Sequence, residues 1–127
     1  MPEPYCRLYI DTDDDRASVQ AAVDAYLPQA FEGTIVDAPV FKNTGFEPKA
    51  RARRPYDPIE CSPLTAEVGA GDEPSEHVEP FQAGLVRLVI KLRARGYFVT
   101  ASCDFEERVA KETGWNWSDR TTEPPGR

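Results

Sequence analysis

The chain has 127 residues, 40% hydrophobic and 29% charged, with 2 Trp, 5 Tyr and 6 Phe, a composition that excludes a disordered chain and suffices for one packed core without disulfide or metal staples. No apolar run approaches the roughly 18 residues that span a bilayer. The net charge of −7 argues against nucleic acid and anionic membrane as partners, because both attract a basic face, and it favours a basic protein.

The first residues, Met1 to Cys6, have neither the basic patch nor the apolar stretch of a secretory leader. Three cysteines fit a reducing compartment better than a disulfide scaffold, so a cytoplasmic location is expected. Charge is unevenly spread. Between Lys42 and Arg54 five cations face only Glu47, a net +4, which leaves about −11 on the rest of the chain.

Tyr5 to Ile10 alternates, with Cys6, Leu8 and Ile10 on one side and Tyr5, Arg7 and Tyr9 on the other, which predicts a strand with one buried face. Thr12 followed by Asp15 has the form of a capping box, and Asp11, Asp13, Asp14 and Asp15 suit the positive end of a helix. A calcium loop would need a glycine and a later glutamate at offsets this stretch lacks. Val19, Ala22, Val23, Tyr26, Leu27 and Ala30 then recur at helical spacing, until Pro28 and Gly33 close the segment.

Thr34 to Phe41 reads as a second strand, placed at a sheet edge because Pro39 cannot donate to a ladder. Lys42 to Pro58, with three prolines, reads as a long loop. Pro63 to Gly69 alternates as a third strand, and Ala70 to Glu79 is a polar connection. From Pro80 a second helix carries Phe81, Leu85, Leu88, Val89 and Leu92 as its stripe, flanked by Val86 and Ile90. Arg87, Lys91, Arg93 and Arg95 gather toward its negative end and Gly96 stops it. Tyr97 to Cys103 is a fourth strand, Asp104 to Lys111 a further turn or two of helix, and 118–127 a loose tail beyond a single domain at 1–117.

The order β-α-β-β-α-β is that of the ferredoxin-like α+β sandwich, with both helices on one face of a four-stranded antiparallel sheet. Right-handed crossovers then put the first and third strands in the middle, the fourth beside the first and the second at an edge. A different α+β sheet with an extra strand in the long loop is the alternative.

Chemistry-bearing patterns are sparse. Cys6, Cys61 and Cys103 are expected at one end of the sheet, yet no C-x-x-C pair accompanies them, and packing accounts for small buried thiols, so no metal or cofactor is expected. His77 is the only histidine, and no G-x-S-x-G, phosphate-binding glycine loop or H-E-x-x-H is present, so catalysis has no support in the residues. On the face away from the helices, Arg7, Tyr9, Thr65, Glu67, Phe98, Thr100 and Ser102 are expected, covered by Trp115 and Trp117 of a returning tail or used as an interface.

The strand Leu64 to Val68, the following helix and Gly96-Tyr97-Phe98-Val99-Thr100-Ala101-Ser102-Cys103-Asp104-Phe105-Glu106-Glu107 resemble small acidic actinobacterial proteins, some of which look like immunity partners of polymorphic or secreted toxins. The resemblance covers about half of the chain and carries over no catalytic residue. It implies a non-catalytic module that neutralises a toxin, or another basic enzyme domain, by direct binding. Acidic surfaces suit that task because opposite potentials speed association. The expected partner-binding residues are Asp104, Glu106 and Glu107 with Trp115 and Trp117, joining steering charge to aromatic anchors. A small-molecule-binding or enzymatic domain using the sheet face or the cysteine end is the alternative, and a homodimer through the sheet a further one.

Overall fold

The computed structural model describes residues 5–32, 35–52, 57–70 and 78–117. Gly33, Thr34, Arg53, Arg54, His77 and the expected tail at 118–127 lie outside them. In chain order the elements are β1 (Tyr5–Asp11), α1 (Arg16–Ala30), β2 (Val40–Lys42), a 3-10 helix (Pro48–Ala52), α2 (Pro58–Cys61), β3 (Leu64–Gly69), α3 (Val78–Ala94), β4 (Phe98–Ser102) and α4 (Glu106–Thr113).

The strands form one antiparallel sheet in the order β2-β3-β1-β4. That is the spatial order expected from the sequence, with the Pro39-containing segment at an edge. The second strand is shorter than expected, because Pro39 leaves only an isolated bridge, Asp37 with Gly69, ahead of Val40–Lys42. Leu8 sits opposite Ala66 and Ala101, and Ile10 opposite Leu64 and Val99, so the even residues of β1 share a face with the apolar residues of its neighbours. That face meets α1 through Val19 and Val23 and α3 through Phe81, Leu85, Leu88 and Leu92, all fully buried. Each such aliphatic side chain contributes roughly 1.5–3 kcal/mol. Ile90, expected to flank this stripe, is instead 46% exposed.

The helices interlock closely. A Cβ on Gly84 of α3 would come within 2.4 Å of the Phe31 ring and 2.9 Å of the Ala30 carbonyl, so only glycine fits that crossing. Arg87 of α3 donates to the same carbonyl at 2.8 Å and closes the end of α1. The start of α1 is capped by Asp15, whose carboxylate accepts the Ser18 amide at 2.7 Å. The expected cap, Thr12, accepts the Asp14 amide instead and shapes the turn before the helix. Pro28 is carried inside the last turn, and α1 continues to Ala30. Gly96, at φ 106°, supplies the left-handed residue that ends α3.

The stretch expected as a long loop is a second layer. Ala50 of the 3-10 helix, Cys61 of α2 and Trp115 after α4 form a small core of their own, with Trp117 packed against it. On the sheet face opposite the two long helices, Tyr9, Thr65 and Thr100 share one rung and are buried, so that face is covered there. A basic segment can be held in this position because Arg51 finds acidic partners at the end of β1.

Candidate functional surface

At that end of the sheet the four aspartates expected at the positive end of a helix each have a structural task. Arg51 reaches Asp11 at 3.0 Å and Asp13 at 2.6 Å, donates to the Thr12 carbonyl at 2.9 Å and stacks over Phe46. Asp14 accepts the Tyr97 hydroxyl at 2.7 Å, and Asp15 is the helix cap. Burial and the Asp14 carboxylate push the Tyr97 phenol above its ordinary value. Arg95 stacks on that ring and donates to its oxygen at 3.1 Å. A cleft of about 360 Å3 lies among these groups, lined by Asp11 to Asp14, Arg51, Arg95 and Gly96 to Phe98. Its polar walls hold one another, which leaves few groups to orient a ligand.

The five residues expected to bind a partner are not brought together. Asp104, Glu106 and Glu107 follow the end of β4, whereas α4 runs back along β4 by about 12 Å at the usual helical rise before Trp115 is reached. Trp115 lies in a cleft with Val99 and Gly96, at the start of β4. It is 7% exposed, and Arg93 stacks on it at 5.3 Å while donating to its carbonyl at 2.9 Å. The segment from Gly114 to Trp117 does fold back, but Trp115 is part of the second core and not an exposed anchor. Trp117 is half-buried against the same cluster. Glu106 turns inward and accepts the Cys103 amide at 3.1 Å. Asp104 and Glu107 are exposed, and among the described residues neither side chain makes a hydrogen bond or ion pair.

Next to them no other described residue covers the second sheet face. Arg7 pairs with Ser102 on one side and Glu67 on the other, so Tyr5, Arg7, Glu67 and Ser102 occupy the rungs that the second layer does not reach. Glu67 accepts from the Tyr5 hydroxyl and pairs with Arg7 at 2.8 Å. Partial burial and the Glu67 carboxylate raise the Tyr5 phenol above its ordinary value. Tyr5 remains 40% exposed, and Phe41, on the same face at the β2 edge, 50%.

Both edges of the sheet are sealed by side chains, a feature no sequence pattern announced. Alternation in the ladder turns the N–H and C=O groups of Ala38 and Val40 outward on β2, and those of Val99 and Ala101 outward on β4. Gln20 donates to the Ala38 carbonyl at 3.1 Å and accepts the Val40 amide at 2.8 Å. Asn116 accepts the Ala101 amide at 2.8 Å and donates to its carbonyl at 3.0 Å, and Arg93 takes the Val99 carbonyl at 2.7 Å. A second copy adding at an edge would have to displace these groups.

The cysteines, expected together at one end of the sheet, are split between its two ends, because β3 runs antiparallel to β1 and starts at the end where β1 finishes. Cys6 and Cys103 are neighbours, whereas Cys61 lies in the second layer and donates to the Ala50 carbonyl. Among the described residues no set of three His, Cys, Asp or Glu side chains is gathered to hold a metal ion, and no helix is long and apolar enough to cross a membrane. Comparison with protein-family models, curated proteins and solved structures finds no match to this chain.

Proposed function

We propose that this protein is a cytoplasmic, ferredoxin-like binding module of the immunity type, which neutralises a basic toxin or enzyme domain by covering it. The antiparallel order β2-β3-β1-β4 supports the ferredoxin-like assignment. The observation that carries the functional reading is the difference between the two acidic clusters. Asp11, Asp13, Asp14 and Asp15 are held by Arg51, Tyr97 and the start of α1, whereas Asp104 and Glu107 stand exposed beside the uncovered face that presents Tyr5. Exposed carboxylates steer a basic partner, and an exposed aromatic already held by Glu67, itself paired with Arg7, anchors it at small entropic cost. The partner surface is therefore Tyr5, Glu67, Asp104 and Glu107, in place of the two tryptophans.

The test uses the product of the reading frame flanking this gene, expressed separately and mixed rapidly with the full chain. A complex is expected whose association slows as salt is raised. Asp104→Asn with Glu107→Gln should slow association and flatten its salt dependence, with dissociation nearly unchanged. Tyr5→Ala should speed dissociation roughly tenfold. Absence of a complex, or association rates indifferent to both salt and the carboxylates, would reject the reading.

A further inference from the structure

We infer that Cys6 and Cys103 are a thiol pair built to close into a reversible cross-strand disulfide, making the end of β4 a site of oxidative modification. The last paired rung between β1 and β4 is Arg7 with Ser102, and Cys103 follows in the bend just past the strand, so the register carried one residue further sets Cys6 opposite Cys103. This rung is of the non-hydrogen-bonded kind. The outward groups of β4 are those of Val99 and Ala101, bound by Arg93 and Asn116, and Cys103 continues that alternation. Opposed residues on such a rung have Cα atoms about 4.5 Å apart and side chains on the same face, inside the roughly 4.4–6.8 Å that a disulfide spans.

The side chains agree with the backbone. Cys6 Sγ sits 3.6 Å from the Arg7 carbonyl oxygen and 4.0 Å from that of Ser102, the residue that precedes Cys103. Their exposure differs in a useful way. Cys6 is fully buried, while Cys103 is partly exposed and packs on the rim of the core. An oxidant therefore meets Cys103 first. Desolvation favours the thiol form of Cys6, so the first attack falls to Cys103 and Cys6 follows only as it loses its proton.

The oxidant is a low-molecular-weight disulfide. The Cys103 thiolate attacks one of its sulfurs, the small S–S bond breaks, and one thiol leaves. Cys6 gives up its proton and attacks Cys103 Sγ, the mixed S–S bond breaks, and the second thiol leaves. The protein loses two electrons and two protons and gains one S–S bond, and the small disulfide becomes two thiols. Closure would bind the end of β4, and with it the turn at Asp104, to the first strand. This inference rests on the register and exposure of two residues and is independent of the proposed partner.

The reduced full chain is incubated with glutathione disulfide, quenched in acid and analysed by thiol titration in denaturant and by non-reducing peptide mapping. Titratable thiols should fall from three to one, with a peptide crosslinked through Cys6 and Cys103 that dithiothreitol releases. Cys61→Ser should form the same crosslink, and Cys103→Ser should keep both of its thiols. A stable glutathione adduct on Cys103 without the crosslink, persistence of all three thiols, or a bond that includes Cys61 would overturn the inference. Cys103 is chosen for substitution because it is only partly buried, so the variant should keep its fold by circular dichroism.

Discussion

Asn116 and Ala101 are joined by two hydrogen bonds, with the side-chain amide of one standing where the backbone of a fifth strand would otherwise pair with the other. Gln20 makes the corresponding pair of contacts at the opposite edge, to Ala38 and Val40. Exposed edges invite pairing with other chains, and a carboxamide satisfies donor and acceptor together without adding a strand. Asn116→Ala leaves two buried backbone groups without partners and should cost about 1–3 kcal/mol. Gln20→Ala, at a more exposed edge, should cost less but increase concentration-dependent self-association. Urea unfolding and sedimentation at several concentrations check the pair of outcomes.

Gly84 lies where α3 presses on the end of α1. Gly84→Ala would gain helix propensity of roughly 1 kcal/mol on an open helix. Here the added methyl meets the Phe31 ring and the Ala30 carbonyl, so the net effect should be destabilising by about 1–3 kcal/mol. A raised urea midpoint for this variant would contradict the packing described.

Arg51 joins the second layer to the sheet through Asp11, whose side chain is 3% exposed. Arg51→Met removes the cation 3.0 Å from a buried carboxylate and should cost about 3 kcal/mol. Adding Asp11→Asn removes the charge and should restore a large part of that loss, a coupling that a double-mutant cycle measures. Additive losses would show that Arg51 acts by packing alone.

The sign of the acid response follows from two exposed carboxylates. Asp15 is held below its ordinary range by the Ser18 amide, and Glu79 by Arg108. A carboxylate depressed in the folded state stabilises above its unfolded value, near about pH 4, and that contribution disappears as pH falls through the lower folded value. Stability should therefore decline below about pH 5, and less steeply in a variant carrying both Asp15→Asn and Glu79→Gln. Tyr97 has the opposite sign, since its raised phenol stabilises below about pH 10 and loses that contribution as pH climbs through the folded value. Unfolding midpoints across pH, compared between the two proteins, test both limbs.

The main core was legible because it rests on periodicity. The alternation of Cys6, Leu8 and Ile10 and the helical spacing of Phe81, Leu85, Leu88 and Leu92 are local signals, and all seven side chains are buried. The second layer was not, because its cohesion is long-range. Arg51 looks like one more cation in a basic run until the fold sets it beside Asp11, and Ala50 and Cys61 have no apolar repeat around them. At the candidate surface, Asp104, Glu106 and Glu107 were visible in the sequence as an acidic group, but the burial of Trp115 was not, since an aromatic reads alike whether it is buried or displayed. Arg93 decides that case, and one arginine among four cations near the end of a helix carries no mark of its role.

That arginine has a consequence for motion. Its guanidinium holds the Val99 carbonyl, the Thr113 hydroxyl and the Trp115 carbonyl, tying β4, the end of α4 and the returning segment to α3. No one of these pieces can peel away without breaking bonds that belong to the others. In native-state hydrogen exchange the amides of α4, of Asn116 and of β4 should therefore open as one cooperative unit, not as a terminus that frays residue by residue.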